Sequence, residues 1–176
     1  VITDSYKNGG KVLICGNGGS SADSAHIAGE LLKGFIKKRP LASDIKEKLG
    51  EMGEKLQSSL PAIDLTAQSG IISAVANDLG ACYVYAQQVM GLGASGDVLI
   101  GISTSGNADN VLNAFRVAKA MGIITIGMTG ESGGKMAELS DILINMPETE
   151  TYKVQELHLP VYHLICAAVE QNFFKE

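Results

Sequence analysis

Four side chains of this sequence have the types and spacing to share one reactive centre. His26 and Glu30 stand at i, i+4 in a stretch of helical pattern. At ~100° per residue they share a face and can reach one ligand. Gln155, Leu159 and His163 fall along one stripe of a later helical stretch by the same arithmetic. His, Glu, Gln and His together make a nitrogen and oxygen donor set suited to zinc or a similar divalent ion. An i, i+4 His–Glu pair is more commonly a surface ion pair. Spacing within each stretch does not establish that the two helices meet.

A second kind of chemistry resides in two Gly/Ser-rich loops. Lys11-Val-Leu-Ile-Cys-Gly-Asn-Gly-Gly-Ser-Ser21 and Asp97-Val-Leu-Ile-Gly-Ile-Ser-Thr-Ser-Gly-Asn107 each follow an apolar run and open a helical pattern. A strand, tight turn and helix in that order aim backbone N–H groups and a helix dipole at an anion. In the second loop Ser103, Thr104 and Ser105 are adjacent hydroxyls. One suffices to cap a helix; three favour phosphate binding. Neither loop carries the lysine of a nucleoside-triphosphate P-loop. Asn77-Asp78 either orients the hydroxyls of a polyol or makes an Asx-type turn. His158 lies well around its helix from Gln155 and His163, which gives it a structural or intersubunit role. Cys15, at a strand end, reads as a buried, inert thiol. The basic run Lys37-Lys-Arg39 reads as a solvated loop.

The elements that must position these residues follow from the apolar pattern. Val12–Cys15, Ala62–Thr66, Val98–Ser103, Ile124–Met128 and Ile142–Met146 read as buried strands separated by helices. That alternation predicts a parallel sheet covered on both faces. Helices are expected at Ser20–Leu32 with a Ser cap, Ser69–Leu79, Tyr83–Leu92 and Asp109–Met121. A last one at Thr151–Phe174 is expected to kink or split at Pro160. Ile45, Leu49, Met52, Leu56 and Leu60 recur every three or four positions, which makes Asp44–Leu60 an amphipathic helix. It would serve as a packing helix or as a flap over a site or subunit boundary.

The 176 residues suit one domain with a substantial core. A formal charge of −5, only 5% aromatic residues and no Trp argue against nucleic-acid binding. Three scattered cysteines make neither a disulfide framework nor a thiolate zinc site, and suit a cytoplasmic setting. No segment has the length of a transmembrane helix or the pattern of a signal peptide.

Taken together, the chain resembles the sugar isomerase (SIS) domains, and among them the sedoheptulose 7-phosphate isomerases, or phosphoheptose isomerases. The resemblance runs from about Gly10 onward. It rests on Cys-Gly-Asn-Gly-Gly-Ser at 15–20, His26 with Glu30, Asn77-Asp78, Gly-Asp-Val-Leu-Ile-Gly-Ile-Ser-Thr-Ser-Gly-Asn at 96–107, Gly133-Gly134-Lys135-Met136, and Gln155-Glu-Leu-His with His163. It implies a single SIS domain over 1–176, a three-layer α/β/α sandwich with a five-stranded parallel sheet of flavodoxin or Rossmann type. It further implies a homotetramer with sites at subunit interfaces. Ser103, Thr104 and Ser105 would hold the phosphate. Asn17, Gly18, Gly19, Asn77 and Asp78 would contact the sugar, with Glu30 and Gln155 also facing it. His26, Glu30, Gln155 and His163 match the family's zinc ligands, and Glu30 and His163 its acid/base pair.

Such an aldose–ketose isomerisation passes through an enediol(ate). It needs a base for the carbon-bound proton, a proton carrier for the oxygens and positive charge for the oxyanion. A carboxylate bound firmly to metal is a poorer base, so the ligand and base roles of Glu30 and His163 compete. The chain departs from the family where Ala108 replaces a usual Ser, at a cost of about 1 kcal/mol for a lost phosphate hydrogen bond. It also carries Lys153 for a usual Arg, a longer Lys37–Leu60 stretch, and little of the helix before the first strand. Other readings are an isomerase of another phosphosugar, a non-enzymatic SIS tetramer that binds the DnaA replication initiator, and a sugar-phosphate-sensing transcription factor. His163 counts against the second, and the lack of a basic DNA-binding segment against the third.

Overall fold

The computed structural model describes residues 1–174. Five strands form one all-parallel sheet: β1 (Val12–Gly16), β2 (Ala62–Asp64), β3 (Val98–Ile102), β4 (Ile124–Thr129) and β5 (Ile142–Asn145), in the order β2-β1-β3-β4-β5. β1 pairs in register with β3, Val12 opposite Val98 through Gly16 opposite Ile102.

Strand alternation divides the core into two. Val12 and Ile14 of β1, with Val98, Ile100 and Ile102 of β3, face one side. There they meet α1 (Ile2–Lys7), α2 (Gly19–Leu32) and the long α8 (Thr151–Phe173). Leu13, Cys15 and Leu99 face the other side, under α4 (Ser69–Asp78), α5 (Val84–Leu92), α6 (Asp109–Ala120) and the short α7 (Met136–Leu139). A parallel sheet buried on both faces needs near-continuous apolar strands, and β1, β3 and most of β4 are buried along their length. The result is the expected three-layer α/β/α sandwich.

Several local expectations are corrected. The stretch Asp44–Leu60 is not one helix: α3 (Ser43–Leu49) ends at Gly50, whose φ of 55° suits glycine. A single 3₁₀ turn follows over Gly50–Glu54, and Gly53 packs against the Lys46 backbone, where a Cβ would meet the carbonyl oxygen at 2.5 Å. Only Leu60 of the five apolar residues is buried; Ile45, Leu49, Met52 and Leu56 are exposed within the chain. β5 is an edge strand, and its Ile142 is exposed, not buried. α8 is not split at Pro160. That residue lies on the exposed side, so the Glu156 carbonyl it leaves without a donor is toward water.

Candidate functional site

In an open parallel sheet, ligands bind beyond the carboxyl ends of strands where the strand order reverses. Here that point lies between β1 and β3. The loops that follow these two strands enclose a cleft of about 360 Å³, lined by Asn17, Gly18, Gly19, Ser103, Thr104, Ser105, Ala108, Thr151 and Gln155 among others. α2 begins after Gly18, which takes φ 57° and offers no side-chain cap, so the expected Ser cap is absent. α6 begins after Ala108, also with no side-chain cap, so the neighbouring hydroxyls are not used for capping. The backbone N–H groups of Gly18, Gly19, Thr104 and Ser105 donate to no other described residue, nor do the hydroxyls of Ser103 and Thr104. Free amides and hydroxyls at two helix starts are the donors an anion requires.

The cradle is held from behind. Asn17 and Asn110 exchange amide hydrogen bonds of 2.8 and 2.9 Å, which ties the first loop to α6. A side chain at Gly106 would collide with the Gly133 carbonyl, and one at Gly134 with the Ser105 carbonyl. The Lys135 N–H donates to Asn107 Oδ1 at 3.0 Å, and the Met136 N–H to the Gly106 carbonyl at 3.0 Å. The third glycine loop, after β4, thus clasps the hydroxyl loop.

α2 and α8 lie side by side on one face of the sheet. Near their N-terminal ends the Gln155 amide sits against Gly19, where a Cβ would meet its Nε2 at 2.6 Å. Further along, His26, Glu30 and His163 bring one donor atom each to within 4.8 Å of one another. His26 Nε2 is 3.1 Å from Glu30 Oε1 and 3.4 Å from His163 Nε2. Both helices therefore run the same way, and the His–Glu spacing on one meets the histidine of the other. Two imidazoles and a carboxylate at this separation fit a divalent ion of zinc type. Gln155 lines the cleft at the Gly19 end.

Around this group, Tyr162 Oη lies 2.9 Å from His26 Nδ1 and donates to Asp23 Oδ1 at 3.2 Å. Burial raises the Asp23 carboxyl above its ordinary range. The basic run is not a solvated loop throughout: Arg39 is fully buried. Its Nε donates to Glu170 at 2.7 Å, and its other nitrogens to the Leu31 and Glu30 carbonyls at the end of α2. Glu170 also accepts from the N–H groups of Phe35, Ile36 and Lys37. Burial pushes the Glu170 carboxyl up, but these donors outweigh it, and the group titrates below its ordinary range.

His158 is fully buried, with Nε2 3.3 Å from the Thr129 carbonyl, and desolvation lowers its pKa; its place is structural. Cys15 is buried and its thiol is pushed up by desolvation, as an inert thiol should be. Asn77 and Asp78 are exposed at the end of α4, bonded to each other at 2.7 Å, and do not line the cleft. The sequence reading missed Asp23, Arg39, Tyr162 and Glu170. Asp23 stands three residues before His26 on the same helix, a legible spacing; the others are visible only once α2 and α8 are packed together.

The SIS domain family matches the chain over residues 1–59 and 41–130. A phosphoheptose isomerase of Burkholderia pseudomallei is 45% identical over 97% of this chain and 77% of its own length. One from Aneurinibacillus thermoaerophilus is 42% identical with the same coverage. The structure of a phosphoheptose isomerase from Francisella tularensis superposes with a TM-score of 0.83 at 34% identity, covering 97% of this chain and 81% of that one. With its anion cleft, its His–Glu–His group and these relatives, the chain belongs to the SIS domain family and, within it, to the phosphoheptose isomerases.

Proposed function

We propose that the chain interconverts sedoheptulose 7-phosphate and D-glycero-D-manno-heptose 7-phosphate. The carrying observation is the approach of Glu30 to His163 on the same two helices whose starts line the anion cleft. From Gly19 to His26 α2 rises ~10 Å, and from Gln155 to His163 α8 rises ~12 Å. That span is comparable with an extended heptose phosphate, its phosphate at the hydroxyl loop and its reacting carbons beside the carboxylate.

In this reading Ser103, Thr104 and Ser105, with the free loop amides, hold the phosphate. Gly18, Gly19 and Gln155 flank the chain of hydroxyls, and Asn17 braces the loop through Asn110. The Glu30 carboxylate takes the proton from C1 of the ketose, leaving an enediol(ate). The proton on O1 passes to O2 by way of the His163 imidazole, and Glu30 returns the carbon-bound proton at C2. His26, Glu30 and His163 would hold a zinc ion, which when bound supplies positive charge for the developing oxyanion; Gln155, whose amide lies against Gly19, would have to swing out of the cleft to join them as a fourth donor.

Asn77 and Asp78 stand outside the cleft of their own chain, which suits a contribution to the sugar from a neighbouring copy in a homotetramer. The reading is of a single SIS domain working in the cytoplasm on a small phosphosugar. The charge of −5 supports the absence of a nucleic-acid partner, and among the described residues no helix is long and apolar enough to cross a membrane.

The test is incubation of the zinc-supplemented protein with sedoheptulose 7-phosphate and chromatographic identification of the aldose. A chelator-treated sample should be slower and recover on adding zinc. No conversion at any pH near neutrality overturns the assignment.

A further inference from the structure

We propose that Asp23 and Tyr162 form a positioning relay that fixes the tautomer of His26 and leaves its Nε2 lone pair facing Glu30 and His163. The inference rests on the metal reading of that group and adds two residues to it. Tyr162 is 2% exposed, and its single hydroxyl proton has two neighbours. Asp23 Oδ1 lies 3.2 Å away and His26 Nδ1 2.9 Å away.

An ionised carboxylate only accepts hydrogen bonds, whereas an imidazole nitrogen can do either. If Tyr162 gave its proton to His26, the oxygen lone pairs of Tyr162 would face those of Asp23. The self-consistent order has the hydroxyl donating to Asp23 and accepting from the Nδ1–H of His26. With an ion in the group Nε2 is then unprotonated, and it is Nε2 that stands 3.1 Å from Glu30 Oε1 and 3.4 Å from His163 Nε2; without one, the Glu30 carboxylate competes by accepting from an Nε2–H. A histidine that binds metal through one nitrogen has its tautomer set by the partner of the other. The second oxygen of Asp23 is buried without a partner. A buried unsatisfied carboxylate oxygen is costly, so Asp23 destabilises the fold through that oxygen while its other oxygen holds the Tyr162 hydroxyl. The ring of Tyr162 also makes edge contacts with His26 and His163, centroids 5.5 and 5.0 Å away, so the phenol spans both imidazoles.

Tyr162→Phe keeps the ring and removes only the hydroxyl. Competition against a chromogenic chelator should show zinc affinity falling ~10–100-fold. Long-range ¹H–¹⁵N spectra of the zinc-loaded protein should show a slowly exchanging Nδ1–H on His26 in the unaltered chain and a fast-exchanging one in Tyr162→Phe. Asp23→Ala leaves the Tyr162 hydroxyl without its acceptor and should weaken zinc binding and speed that exchange in the same direction; it serves as the second test should Tyr162→Phe fail to fold. A purely structural hydroxyl would lower the melting temperature of the metal-free protein and leave exchange and affinity alone, and that outcome overturns the relay. If the unaltered protein binds no zinc, the metal reading fails by that measurement and takes the relay with it.

Discussion

In the proposed mechanism Glu30 would be both a ligand and a base, and the two demands would pull on one carboxylate. On the same proposal its neighbour His26 would supply a nitrogen to the ion without taking the substrate proton, which would leave Glu30 and His163 for proton transfer. Glu30→Gln keeps the shape and removes the basicity, so kcat should fall at least ~10²–10⁴-fold while the circular dichroism spectrum is unchanged; His163→Gln should behave alike. Activity near that of the unaltered protein would take either residue out of the mechanism. Ser103→Ala removes one phosphate donor worth about 1 kcal/mol, so KM should rise roughly fivefold with kcat nearly preserved. Type and spacing mark His26, Glu30, Gln155 and His163 as a donor set and Ser103–Ser105 as a phosphate loop; the acid/base pairing of Glu30 with His163 comes only from the family resemblance. Their neighbours Asp23 and Tyr162 were not singled out, because a hydrogen bond across 139 sequence positions has no local signature.

At the scale of elements, the site depends on how α2 and α8 are locked together. The lock is the Arg39–Glu170 pair, buried on both sides, which ties the end of α2 and the loop behind it to the last turns of α8. Glu170→Gln leaves a buried guanidinium without its counter-charge and should cost about 3–5 kcal/mol in denaturant unfolding. A loss below ~1 kcal/mol, as for an exposed pair, would remove the lock. The sign with pH follows from the depressed Glu170 carboxyl. Its contribution is complete above the ordinary glutamate value of about 4.3 and is lost as pH falls through the lower value of the folded state. The unaltered protein should therefore lose stability in acid more steeply than Glu170→Gln. Reading the basic run as solvated failed because a charge run reports composition, whereas the burial of Arg39 is decided by a carboxylate on another helix and two carbonyls at a helix end.

At the scale of the molecule, the chain leaves Ile36, Ile45, Met52, Leu79, Met90 and Leu164 exposed, which suits a protein that works as an assembly. Light scattering of the purified protein should give four times the mass of one chain; a monomer at micromolar concentration would withdraw the tetramer and with it the neighbour's Asn77 and Asp78. The parallel sheet, the two Gly/Ser loops that follow its strands and most of the helices are legible in consecutive residues, because β-strand and helix periodicities and glycine's conformational freedom are local properties. Asp44–Leu60 misleads for the same reason, since apolar periodicity persists across Gly50 and Gly53 where the helix does not. That the stripe carrying His163 faces the stripe carrying His26 and Glu30 is visible only in the folded chain, because that contact is set by how two helices pack on one sheet face, and no periodicity within either helix encodes its partner.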